Sequence, residues 1–257
     1  MNQPMHAIIL AAGRGRRLAG QISDGLPKCL LEFGGKSLLR RHLELLWRGG
    51  VSQVDLVVGY EADAIIEHVG RLSERPAAAF HFNPRFEEGS VVSLLAGRET
   101  LESGSDVVLM DADVLYHPVI LTRLLRSDHA NCFLMDRDFT PGDEPVKIAL
   151  RDGRIVEFRK QLAGDLRFDR LGESVGFFRF DGSMAATMAG ECARFESEGM
   201  SDAPHEEAIR NVVLRAPQLF GVEDVTGLPW IEIDFPEDVT RAADEILPAI
   251  RADHPDH

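Results

Sequence analysis

Through the first 130 residues, short apolar or β-branched runs alternate with segments of helical hydrophobic period. The runs HAIILAA (6–12), QVDLVVGY (53–60), AAFHFN (78–83) and DVVLMDAD (106–113) predict strands. Between them, SLLRRHLELLWRGG (37–50), EADAIIEHVGRL (61–72) and SVVSLLAGRETL (90–101) repeat Leu, Ile and Val at three- and four-residue spacing, the mark of amphipathic helices. Strands separated by helices pair in parallel, because the chain must cross a sheet face before the next strand begins. The pattern therefore predicts an α/β fold, a mostly parallel mixed sheet with helices on both faces.

After about residue 130 the alternation lapses. NCFLMDR (131–137), VKIALRDGRIVEF (146–158) and ESVGFFRF (173–180) read as strands, and Asp152-Gly153 supplies a hairpin turn. Helical stretches at 182–199 and 205–215 lead to the strand WIEIDF (230–235) and a closing helix from Pro236, a residue suited to a first helical turn. No linker rich in Pro, Gly or Ser divides the chain, so a single domain over 1–257 is expected. Within it, a first half over 1–130, a smaller second subregion over 131–250 and a tail over 251–257 are expected.

Composition narrows the partners. With 42 Asp and Glu against 28 Lys and Arg, the net charge is −14, the opposite of the basic footprint that nucleic acid or an anionic membrane surface requires. The first apolar run is too short for a membrane span, and its arginines follow it rather than precede it. Three scattered cysteines form no C-x-x-C pair, which fits a cytoplasmic protein without disulfides or a zinc knuckle. The expected ligands are small anions held by local positive charge, and the expected assembly is a monomer or homodimer.

That local charge is concentrated in one place. LAAGRGRRL (10–18) sets three arginines between and after two glycines, and LPKCLL (26–31) follows. The loop lacks the third glycine of the dinucleotide fingerprint, since Leu18 occupies that position, and no G-x-x-x-x-G-K-[ST] occurs in the chain. Gly13 and Gly15 let backbone N–H groups approach phosphate oxygens, while Arg17 and Lys28 supply charge-assisted contacts. A triphosphate satisfies this set, whereas a merely solubilising arginine loop leaves Lys28 unexplained.

Two carboxylate groups accompany it. The apolar strand VVLM delivers Asp111 and Asp113 to its carboxyl end, where open α/β sheets bind ligands. WIEIDFPEDV places Asp234 at another strand-to-helix junction, with Glu232 two residues earlier on the same strand face. Oxygen donors of this kind suit a hard cation. The alternative is a turn for the first group and a helix cap for Asp234.

LAAGRGRRL with LPKCLLEFGGKSLL resembles the amino-terminal signature of nucleoside-triphosphate nucleotidyltransferases, and the likeness extends over nearly the whole chain. The resemblance implies a Rossmann-like, glycosyltransferase-A-like fold, with Leu10, Ala11, Ala12, Gly13, Gly15, Arg16 and Arg17 along the nucleotide and Lys28 at the reacting phosphates. QISDGLPK departs from the family's threonine-proline step before the lysine. By the same likeness Asp113 and Asp234 hold Mg²⁺, Asp111 lies near the ribose, and Gly89-Ser90 borders the base. For Ser90 a helix cap, with Ser93 solvated, is the alternative. EPVKIAL and RLGESVGFFRF resemble segments that present Lys147 to the acceptor phosphate and Glu173 to a polar or cationic acceptor group, with Lys160, Glu206 and Glu207 as alternative lining residues.

Among such enzymes, DADV, GESVGFFRF and EIDFPED look most like cytidylyltransferases acting on phosphocholine, aminoethylphosphonate or inositol phosphate. The resemblance thus implies CTP and a small phosphorylated acceptor, with pyrophosphate released. A sugar-1-phosphate enzyme using UTP, GTP or dTTP, and a non-catalytic nucleotide-binding regulatory module, are the competing readings. Loss of a metal ligand would mark the regulatory module, but both Asp113 and Asp234 are present.

Overall fold

In the computed structural model, residues 5–18, 25–73 and 75–255 are described. The parallel core is built from β1 (Met5–Ala11), β4 (Gln53–Val58), β5 (Ala77–Phe82) and β6 (Asp106–Asp111), in the order β6-β1-β4-β5. Their burial is nearly continuous in β1, β4 and β6, as expected for strands covered on both faces. Two short strands, β2 (Glu32–Phe33) and β3 (Lys36–Ser37), form a small hairpin before the first long helix.

Helices cover both faces. α1 (Leu38–Arg48) begins at Ser37, whose hydroxyl accepts the Arg40 N–H, and its Leu39, Leu43 and Leu46 are fully buried against the sheet. α2 (Ala62–Gly70) and α3 (Ser90–Ala96) follow, and Gly97 separates α3 from the short α4 (Arg98–Leu101), so the segment expected as one helix is two. β7 (Val114–Tyr116) and α5 (Pro118–Arg126) were not evident in the sequence pattern. Pro118 and the His117 cap start α5, whereas the preceding apolar run reads as one uninterrupted strand.

The second half extends the same sheet with antiparallel strands. β8 (Asn131–Asp136), the hairpin β9 (Lys147–Arg151) and β10 (Arg154–Arg159), and the long β11 (Arg170–Phe180) give the order β10-β9-β11-β6, with β8 also paired to β11. The expected turn is present: Asp152 and Gly153 both have positive φ, 53° and 74°. α6 (Gly182–Ser197) and α7 (His205–Arg215) pack on this half, and β12 (Phe220–Asp224) pairs in parallel with β8. The strand expected at 230–235 is shorter, β13 (Trp230–Glu232), paired antiparallel to β7 rather than joined to the main sheet. α8 (Pro236–Arg241) and α9 (Leu247–Asp253), with one π turn between them, end the described chain.

β11 is the hinge between the halves, and its irregularity shapes the site. Its register on β8 shifts between Ser174 and Phe178, and there Gly176 adopts φ +81°. A Cβ at Gly176 would come within 2.4 Å of Asp111 Oδ2. Only glycine therefore lets β11 pass this close to the end of β6. Gly176→Ala should lower unfolding free energy by about 1–3 kcal/mol through backbone strain, measured by urea denaturation, and should displace Asp111; an unchanged midpoint would show that the strand accommodates the methyl group.

Candidate active site

The carboxyl ends of β1 and β6, the loop after β1, and the β7–β13 pair converge on one cleft. Leu18 is 2% exposed and packs into a cluster with Leu31, Phe33, Leu38, Leu115 and Ile233, while its N–H bonds the Gly15 carbonyl at 3.0 Å. Burying Leu18 anchors the loop's end and leaves Gly13, Arg14, Arg16 and Arg17 exposed. Gly15 has φ +62°, and a Cβ there would lie 2.9 Å from Lys28 Cγ, so the loop and the lysine stem are in close contact. Leu10, Ala11, Gly13, Gly15, Lys28 and Asp113 together line a cavity of about 100 Å³. Residues 19–24, which contain most of the altered step before Lys28, lie outside the described residues.

Lys28 opens a single 3₁₀ turn, Lys28–Leu30, fixed by the burial of Cys29 and Leu30. Its Nζ donates to Asp234 Oδ1 at 2.8 Å and to Asp113 Oδ2 at 3.1 Å. The aspartates meet because β13 lies beside β7 and the Ile233 N–H bonds the Asp113 carbonyl at 3.0 Å. Asp234 does not cap α8: Asp238 accepts the N–H groups of Asp234 and Phe235, leaving the Asp234 carboxylate to Lys28 and, at 3.5 Å, to Arg17. Burial would lower the Lys28 pKa, but the charges and hydrogen bonds of Asp113 and Asp234 outweigh it and hold the ammonium protonated.

The anionic side of the cleft is crowded. Carboxylate oxygens of Asp113, Glu232 and Asp234 lie within 4.8 Å of one another, a donor set suited to a hard divalent cation. Loss of hydration, then repulsion from Asp113, Asp234 and Asp111, raises Glu232 well above the usual carboxylate range. Burial, followed by repulsion from Glu206, Asp113 and Asp234, does the same to Asp111. Lys28 offsets the repulsion between Asp113 and Asp234 by bonding both, while Glu232 holds its proton more readily than an ordinary carboxyl.

Ser90 is the first residue of α3, and its hydroxyl contacts His205 rather than capping the helix. Ser93 is buried and accepts a hydrogen bond from Asn83, so it is not a solvated position. Arg14 and Arg16 pair with Glu87 at 3.5 Å, just before Gly89. Glu144, the first residue of EPVKIAL and given no role by the sequence, bridges Arg17 at 3.2 Å and Lys160 at 3.1 Å.

Farther along β11, Glu173 lies across from Asp136 on β8 and Lys147 on β9. Burial, then repulsion from Asp136, pushes Glu173 up to about 7 despite attraction from Lys147. The Lys147 ammonium is held by the carbonyls of Gly142 (2.6 Å), Lys160 (2.5 Å) and Pro145 (3.3 Å). Trp230 Nε1 donates to Asp136 Oδ2 at 2.8 Å, which adds Asp136 and Trp230 to the group the sequence suggested. The only cue to them was position, each standing at one end of a strand. Lys160, Glu206 and Glu207 line a neighbouring cavity of about 540 Å³. A cavity of about 1070 Å³ lies at the opposite, amino end of the strands beside Met5, Ser52 and Asp106.

A parallel α/β core that brings a glycine–arginine loop, a lysine and paired carboxylates to its carboxyl edge is the framework of a nucleotidyltransferase. The chain belongs to the MobA-like NTP transferase family, which matches residues 7–173. It is 28% identical over 249 residues to the Bifunctional IPC transferase and DIPP synthase of Rubrobacter xylanophilus, covering 94% of this chain and 52% of that protein. It is 26% identical over 245 residues to the CMP-5'-(3-aminopropyl)phosphonate synthase of Streptomyces rubellomurinus, covering 93% of this chain and 38% of that one. The chain thus spans about half or less of these two relatives. The inositol-1-phosphate CTP transferase from T. maritima shares the fold, with a TM-score of 0.76, 22% identity and 97% of each chain covered.

Lys28→Ala should leave the fold intact and lower turnover by about 10²–10³, the usual loss on removing one preorganised charge-stabilising donor. Pyrophosphate release at saturating substrates measures it, and near wild-type turnover would remove Lys28 from the reacting centre.

Proposed function

We propose that the protein transfers a cytidylyl group from CTP to a small phosphorylated alcohol or phosphonate and releases pyrophosphate. The observation that carries this reading is the convergence of Lys28 with Asp113, Glu232 and Asp234 beside the glycine–arginine loop. CTP is supported by similar proteins named for CTP- or CMP-dependent chemistry.

In this reading Gly13, Gly15, Arg16 and Arg17 receive the triphosphate, with Leu10, Ala11 and Ala12 forming the wall behind it. Arg17 exchanges Glu144 and Asp234 for phosphate oxygens. Gly89 and Ser90 border the base, and Asp111 faces the ribose. An oxygen of the acceptor's phosphate or phosphonate attacks the α-phosphorus in line, and the bond to the β-phosphate oxygen breaks as pyrophosphate departs. The attacking group is already anionic near neutral pH, so no protein nucleophile or general base is needed. Lys28 offsets the negative charge that accumulates around the α-phosphate. Asp113 and Asp234, with Glu232 alongside, would hold Mg²⁺, which supplies further charge neutralisation at the phosphates when bound.

Glu173 and Asp136 give the acceptor end a negative face, with the Trp230 indole hydrogen-bonded to Asp136. This favours an acceptor with an amine or quaternary ammonium, because an anionic pocket and an aromatic ring both attract a cation. Lys147 meets the acceptor phosphate by giving up one of its carbonyl contacts. Glu173 lies three residues along β11 from Gly176, a span of about 10 Å at ~3.3 Å per residue, and Gly176 abuts Asp111. That span suits a short phosphoalcohol or phosphonate.

A panel of CTP, UTP, GTP, ATP and dTTP against phosphocholine, phosphoethanolamine, aminoethylphosphonate, inositol phosphate and hexose-1-phosphates, read by pyrophosphate, tests the assignment. CTP with a cationic acceptor should be fastest; a preference for UTP, GTP or dTTP with a sugar phosphate would overturn it. Asp113→Ala and Asp234→Ala should each remove most Mg²⁺-dependent activity, and the double variant should be little worse than either, because the two carboxylates act as one unit. A double-variant loss equal to the product of the single losses would show that they act separately.

The raised Glu173 carboxyl gives a pH test with a fixed sign. It attracts a cation only when ionised, so the KM for a cationic acceptor should fall as pH rises through about 7. For stability the direction reverses: between its ordinary 4.5 and about 7 the folded protein keeps a proton that the unfolded chain releases, so Glu173 costs stability as pH rises over that window. Glu173→Gln should therefore weaken cationic acceptors about ten- to a hundredfold at pH 8, leave neutral polyol phosphates nearly unchanged, and raise Tm more at pH 8 than at pH 5. Equal losses on both acceptor classes would make Glu173 structural.

A further inference from the structure

The nucleotide side contains a buried histidine that none of the sequence motifs included. His205 is the first residue of α7 and is 3% exposed, with its ring edge-on to Phe178 at a centroid distance of 6.4 Å. Ser90 Oγ accepts the His205 backbone N–H at 2.8 Å and lies 2.9 Å from His205 Nδ1. Since that oxygen already accepts one hydrogen bond, its hydroxyl hydrogen is available to donate to Nδ1. In the neutral ring this places the remaining hydrogen on Nε2. The Glu206 carboxylate lies 3.2 Å from Nδ1 on the same side of the ring.

His205 Nε2 is therefore a buried donor, and it has no hydrogen-bond partner among the described residues. An unpaired buried donor is costly and calls for an explanation. The carboxylate oxygen facing it is Asp111 Oδ1, at 3.9 Å. The other oxygen of Asp111 faces Gly176, where a Cβ would come within 2.4 Å. Asp111 is thus held in a slot between β11 and the start of α7.

The same segment is bonded to the start of α3. Gly89 N–H donates to the Ser201 carbonyl at 3.0 Å, and Val91 N–H to the Ala203 carbonyl at 3.2 Å. His205 links Ser90 with Asp111, 115 and 94 residues away in the chain. We propose that His205 is a positioning residue for the nucleotide: its Nδ1 side fixes Ser90, and its Nε2–H orients the Asp111 carboxylate that faces the sugar, with the remaining gap closing when nucleotide binds. This rests on the placement of Asp111 and Ser90 on the nucleotide given above. His205 does not itself touch the reacting atoms, so its effect falls on nucleotide affinity rather than on turnover or the acceptor.

Two amide variants separate this from simple packing. His205→Gln places an amide N–H near the position of Nε2, whereas His205→Asn places one near Nδ1. Calorimetric titration with CTP and Mg²⁺ should give His205→Gln an affinity within about threefold of wild type and His205→Asn one weakened about tenfold or more, the scale of a lost hydrogen bond to a charged group. In steady state, kcat and the acceptor KM should stay within about threefold for both variants. If Asn binds nucleotide as well as wild type while Gln does not, the residue matters only as a partner of Ser90 and the proposal fails. Equal losses in both variants, or losses shared by nucleotide and acceptor, would also overturn it. If wild type binds another triphosphate in place of CTP, the assignment of CTP falls, and the same comparison with that triphosphate decides the role of His205. If wild type binds no triphosphate, both readings fall.

Discussion

The Lys28 ammonium holds the Asp113 and Asp234 carboxylates together at 3.1 and 2.8 Å and offsets the repulsion between them, while Glu232 lies within 4.8 Å of both. The ammonium joins segments separated by 85 and 206 residues, which places the turn after the arginine loop, the end of β6 and the end of β13 in fixed relation. Removing one partner of such a set leaves unbalanced charge in a half-buried cleft, which costs more than the pair itself contributes. The same convergence brings positive and negative groups into direct contact within one cleft.

The fold supplies this geometry through two kinds of sheet. Parallel strands β1, β4, β5 and β6 bring their carboxyl ends to one edge, so loops from distant parts of the chain open into a common space. The antiparallel β11 then runs beside β6 and presents Gly176 to Asp111 and Glu173 to Asp136. One strand therefore reaches both the Asp111 edge of the cleft and the Glu173–Asp136 pair. No helix among the described residues is long and apolar enough to cross a membrane.

Glu144 shows how charge is stored in the protein alone. It occupies Arg17 and Lys160 together, and both cations lower its pKa, with the hydrogen bond to Lys160 the largest influence. Arg14 and Arg16 lean on Glu87 in the same way. These pairs are half-exposed and individually weak, so incoming phosphate can replace them at little cost.

The sequence by itself determined the α/β class, because buried parallel strands must be apolar throughout while the helices between them keep a three- to four-residue period. It also determined the cationic loop, Lys28, Asp111, Asp113 and Asp234, since glycines, arginines and carboxylates at the ends of apolar strands are visible in one dimension. Helix and strand boundaries were less legible: Gly97 divides α3 from α4, and the start of α5 at Pro118 is set by a His117 cap that hydrophobic period cannot reveal. Only the tertiary structure decided that Asp234 bonds Lys28 instead of capping α8, that Ser90 meets His205 instead of capping α3, and that Lys147 is held by three carbonyls. Each of these depends on a partner far away in the chain or on backbone atoms whose direction no residue type specifies, and a side chain's partner is fixed only when packing brings the two together.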